Sequence, residues 1–146
     1  MRRLSSGLLL LVLLTVSLPV RGAGSLSKNY EFKSDVRLEV GVATDDGLRL
    51  DWVRFKVPAV SEGRDYRTGG LVTMEAALSN IAGTSVRGGI AVALFDAEGN
   101  LVGVASGGSR WTPIKAGRQK LFKLIFDDVN ANAYRARTFQ ISVESK

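Results

Sequence analysis

Neither cysteine nor histidine occurs anywhere in the 146 residues, and proline occurs only three times. The missing histidine removes a Ser-His-Asp or Cys-His nucleophile system and any histidine-ligated zinc or copper site. The missing cysteine removes thiolate metal sites, iron–sulfur clusters and disulfides, so a core of buried side chains must hold the fold. No GxGxxG or GxxxxGK[ST] pattern is present, hence no loop built to cradle phosphate. Asn29, Asn80, Asn100, Asn130 and Asn132 all lack Ser or Thr two positions on, which leaves no glycosylation sequon. These absences fit a bacterial exported protein, and no cofactor is expected.

One hydrophobic run stands apart from the rest. Arg2 and Arg3 precede the apolar stretch Leu8–Val20, which Pro19 breaks near its end, and the small residues Gly22, Ala23 and Gly24 follow. This is the layout of a secretory signal peptide. The run falls short of the roughly 20 residues that span a bilayer. Val20 and Gly22 suit the −3 and −1 positions, so cleavage is expected between Gly22 and Ala23. That divides the chain into a leader, 1–22, and one mature domain, 23–146, which is not an integral membrane protein. The formal charge of +6 then changes. Arg2, Arg3 and Arg21 leave with the leader and no acid does, so 17 basic residues face 14 acidic ones, or +3. Such a balance argues against nucleic acid as a partner.

Beyond the leader, apolar residues alternate with polar ones, and no helical stripe of ten residues occurs. Val36, Leu38, Val40 and Val42 share a face before the hairpin signal Thr44–Gly47. Leu48, Leu50 and Trp52 continue the pattern, which then changes phase to Val53, Phe55 and Val57. That shift predicts a bulge near Trp52–Val53 and assigns Trp52 to the core. Further inward sets are Val72–Leu78, Ile90–Leu94, Phe122–Phe126 and Phe139–Val143 at every second residue. Turn signals recur every 8–12 residues, which predicts an all-β, antiparallel, immunoglobulin-like β-sandwich of about 7–8 strands. An up-and-down barrel satisfies the same periodicity.

Four stretches within residues 71–143 point further: "LVTMEAALSN", "VALFDAEGNLVG", "IKAGRQKLFKLIF" and "FQISV". Together they resemble the FxLYD family of immunoglobulin-like domains of exported bacterial proteins. Leu94 and Asp96 match the name-giving motif, whereas Val92 and Phe95 stand where that family has Phe and Tyr. The resemblance implies a sandwich without catalytic residues. It leaves residues 23–70 unplaced.

Asp96, Glu98 and Asn100 imitate the start of a calcium loop, but Leu101 and Gly107 occupy the positions where Gly and a bidentate acid belong. The better reading is a turn with Gly99 left-handed and Asp96 accepting from backbone amides. Glu62, Asp65, Asp127 and Asp128 are the candidates for a carboxylate pair. "SLSK" (Ser25–Lys28) matches a penicillin-interacting motif by chance, in a chain far too short for that fold. Arg64, Tyr66 and Arg67 lie in the longest polar connection and are candidate contact residues. Trp111 suits either the core or a sugar-stacking platform. A run of cations, Arg110, Lys115, Arg118, Lys120, Lys123, Arg135 and Arg137, would form an anion-binding face if the strands gathered them.

The expected protein is therefore a secreted or periplasmic, non-catalytic module that contacts another protein or a cell-envelope polymer. The competing expectation is a carbohydrate-binding or carboxylate-based glycan-acting jelly roll.

Overall fold

The computed structural model describes residues 24–58, 71–109, 112–127, 129 and 133–146. Eight strands fill most of them: β1 (Ser25–Glu31), β2 (Arg37–Ala43), β3 (Leu48–Lys56), β4 (Val72–Asn80), β5 (Gly88–Phe95), β6 (Leu101–Gly108), β7 (Gln119–Phe126) and β8 (Thr138–Ser145). One turn of 3-10 helix, Ala133–Arg135, precedes β8. The strands form two four-stranded antiparallel sheets, ordered β1-β8-β5-β6 and β2-β3-β4-β7. This is a β-sandwich and not an up-and-down barrel. Residues 24–58 thus find their place: β1 extends one sheet beyond β8, and the β2–β3 hairpin extends the other beyond β4.

Alternation builds the layers because successive side chains of a strand point to opposite faces. Leu48, Leu50, Val53 and Phe55 of β3, with Val72, Met74, Ala76 and Leu78 of β4, face Ile90, Val92 and Leu94 of β5 and Phe139, Ile141 and Val143 of β8. Phe122, Leu124 and Phe126 of β7 close the core. Phe55 lies at its aromatic centre, with ring centroids of Phe32, Phe126 and Phe139 at 4.9, 6.2 and 4.8 Å.

The phase change in β3 falls one residue earlier than the sequence suggests. Leu50 pairs with Leu78 and Trp52 with the adjacent Ala77, so Asp51 is the extra residue. Once Asp51 takes up that step, Trp52 points away from the core. It lies half-buried on the outer face, where the Arg37 guanidinium stacks 4.5 Å from its ring centroid. A tryptophan tolerates that position because a cation covers its π-face. Val36 also stays outside, exposed just before β2.

At β6 the inward positions are small: Gly103, Ala105 and Gly107 oppose Leu94, Val92 and Ile90. A Cβ at Gly103 would run into Val129, and one at Gly107 would approach Leu124 to 2.7 Å. These small residues let β6 close tightly over β7 at one side of the sandwich.

Candidate functional site

The turn between β5 and β6 is built as its residues dictate. Gly99 has φ +81°, the left-handed region that glycine enters without steric cost. The Asp96 carboxylate accepts from the amides of Glu98 (3.1 Å) and Asn100 (2.8 Å) and from the Asn100 side chain (3.1 Å). Arg135 donates to the same carboxylate at 3.1 Å. Burial pushes the Asp96 carboxyl up. The Asn100 and Glu98 hydrogen bonds and the Arg135 charge outweigh it and hold the group below its ordinary range. Every carboxylate contact here is to a neighbouring protein group, and the stretch is a turn.

Asn80, which ends β4, organises a second loop region. Its amide nitrogen donates to the carbonyls of Thr84 and Ile114, both at 2.8 Å, and its oxygen accepts from Ala82 N at 2.9 Å. The side chain is buried, so each of these bonds replaces one to water.

The outer face of the β2-β3-β4-β7 sheet carries a polar lattice. The bulged Asp51 accepts from Arg49 (2.7 Å), Ser79 and Gln119 (2.7 Å), which ties β3 to β4 and β7. Partial burial raises the Asp51 carboxyl, but these donors bring it below its usual value. Glu75 pairs with Arg54 and with Lys56 at 3.0 Å, and those hydrogen bonds likewise lower its pKa. Both carboxylates are thus satisfied inside the lattice, although the buried Arg54 Nε has no partner among the described residues.

Among the described residues, the cations singled out in the sequence fall into two groups, with Lys123 between them on β7. Lys115, Arg118 and Lys120 sit where β7 begins, and Lys120 caps the Thr112 carbonyl at 3.2 Å. Arg135 and Arg137 sit beyond its other end, bound to Asp96 and to the carbonyls of Tyr134 and Ala136. The eight residues of β7, roughly 26 Å of extended chain, separate the two groups. Asp127 is exposed beside a shallow groove. Ser25 and Lys28 lie on β1, paired to Glu144 and Ile141. Gly22 and Ala23 of the cleavage site, the contact candidates Arg64, Tyr66, Arg67 and Trp111, and Arg110, Glu62, Asp65 and Asp128 lie outside the described residues.

What the sequence did not single out is an apolar side of the sandwich. Eight large hydrophobic side chains stand exposed among the described residues. Six of them collect around β6 and β7: Leu101, Val104, Leu121, Ile125, Leu71 and Tyr134. Val104 and Ile125 line one groove of about 430 Å³ together with Ala91, Ala93 and Ser106. Ile125 and Leu71 line a second of about 400 Å³ beside Lys56 and Lys123. The only hint in the sequence was β6 itself, "LVGVASGG", a strand without one charged residue.

Among the described residues, no helix is long and apolar enough to cross a membrane. No protein-family model matches the chain, and no curated protein matches it.

Proposed function

We propose that the chain is an exported, non-catalytic β-sandwich module that acts by contact with a protein or a cell-envelope polymer. One observation carries this reading, the concentration of exposed Leu101, Val104, Leu121, Ile125 and Leu71 along one side of the sandwich. Val104, Ile125 and Leu71 line two grooves that share Ile125, and exposed apolar side chains gathered in this way point to a contact surface. The basic n-region and the Leu8–Val20 run support export. A chain without histidine or cysteine lacks the side chains of most nucleophilic and metal chemistry, which supports a binding role. FxLYD-like character of residues 71–143 is part of the proposal. Its support is the Asp96–Gly99 turn, which leads out of a strand at the motif position.

The test is retention of envelope components on the purified, exported chain, compared with Leu121→Lys. Recovery of a defined protein or polymer by the parent chain, lost in the variant, supports the module. Equal recovery by both, or none by either, refutes it.

A further inference from the structure

The sandwich has four edge strands, β1 and β6 in one sheet and β2 and β7 in the other. Edges offer unpaired backbone groups, and proteins protect them with charges, bulges or inward lysines. Three edges carry such protection. β1 places Lys28 opposite the inward Ile141. β2 carries Arg37 and Glu39 and is bulged at Gly41, φ +64°. β7 carries Lys120 and Lys123.

β6 has none of these across Gly103–Gly108. No residue of Leu101–Gly108 is charged or proline, and its single irregularity lies at its start, between Leu101 and Gly103. Among the described residues, its backbone hydrogen-bonds only to β5. Val104 is 59% exposed and Leu101 60%. The unprotected edge therefore coincides with the apolar side of the molecule, and these are two separate observations.

We infer that β6 is the pairing edge for β6 of a second copy of this chain. The two strands run antiparallel, so the β1-β8-β5-β6 sheet continues across a two-fold axis. The inference rests on the interaction reading above and names its partner. Two-fold pairing sets each residue of a patch against the same patch of the partner. In a charged strand that would oppose like charges, which is destabilising, whereas β6 has no charge to oppose. Val104, Ser106 and Gly108 form the outward row of β6, next to Ala93, Ala91 and Gly89 of β5. This row of small side chains adds little bulk beside a partner strand. Ile125, which shares the groove with Val104, extends the apolar contact beyond the strand.

Because the chain contains no cysteine, pairing can be read directly from single introduced ones. Sedimentation equilibrium of the purified exported chain, up to about 200 µM, is expected to show reversible dimers. Val104→Lys is expected to weaken dimerisation at least tenfold while leaving the circular dichroism spectrum unchanged. Val36→Lys, at an exposed residue beside β2, is expected to leave it intact. Mild oxidation is expected to convert Val104→Cys into a covalent dimer but not Val36→Cys. Should Val104→Lys fail to fold, Ser106→Lys, at an exposed neighbour, reads the same edge. A wild-type monomer at the highest concentration overturns the inference, as does a dimer indifferent to Val104→Lys, or to Ser106→Lys where that variant replaces it. A monomer that still retains an envelope partner sensitive to Val104→Lys would overturn self-pairing alone. A monomer that retains nothing would overturn the interaction reading with it.

Discussion

Arg135 reaches from the 3-10 turn before β8 to the Asp96 carboxylate before β6, 3.1 Å away and 39 residues apart in the chain. The contact fastens the β5–β6 turn to the connection that carries the chain back across the sandwich.

Asp96, Asp51 and Glu75 all have folded-state pKa values held below those of the unfolded chain. The stabilisation of such groups is fully present above the unfolded carboxylate pKa, about 4, and is lost as pH falls through the folded values. The thermal midpoint is expected to stay level from about pH 7 to 5 and fall below about pH 4. Asp96→Asn removes one contributor. It should lower the midpoint at neutral pH and shallow the acid decline, which a pH series of melting curves checks.

Phe55 and Trp52 lie three residues apart on the same side of the bulge, so alternation along β3 puts them on opposite faces. Phe55→Ala opens a cavity among three other rings and is expected to cost about 3–5 kcal/mol. Trp52→Ala removes a half-buried ring and an Arg37 stacking contact, at about 1–2 kcal/mol. Equilibrium denaturation of both variants measures the contrast. Equal losses would mean that Trp52 belongs to the core after all.

Gly103 is needed for space, not for an unusual backbone, because Val129 fills the position of its missing Cβ. Gly103→Ala is expected to force the β7–β8 connection outward at about 1–3 kcal/mol. Gly89→Ala, where a Cβ meets only the Gly107 carbonyl at 4.0 Å, is expected to be nearly neutral. Chemical denaturation of the pair distinguishes overpacking from a general intolerance of alanine in the sheet.

Asn80→Ala leaves the Thr84 carbonyl and the Ala82 amide without their partner, while the Ile114 carbonyl keeps the Val86 amide. The expected loss is about 1–3 kcal/mol. Amide exchange at Ala82 should accelerate more than exchange within β5.

The inward stripes of β4, β5, β7 and β8 were legible because each strand buries one face and wets the other. The Asp96 turn was legible because Gly99 and the Asx acceptor act within five residues. Trp52 was misread because its phase depends on where the bulge falls, and composition does not distinguish Asp51 from its neighbours. The grip of Arg135 on Asp96 is a product of tertiary folding, with no local trace. The apolar side was hidden for a similar reason. An uncharged strand is unremarkable in the middle of a sheet, and only strand order reveals that β6 stands at an edge.

β8 pairs with β1 on one side and with β5 on the other. β8 is the last strand along the chain, yet it is the sole link between β1 and the β5–β6 hairpin in its sheet. Ser25 meets Glu144 across nearly the whole described chain. A fold rich in pairings this distant in sequence folds more slowly than one built on local contacts. β1 and the β5–β6 hairpin are therefore joined in one sheet only through β8, and shortening the chain before β8 would divide that sheet.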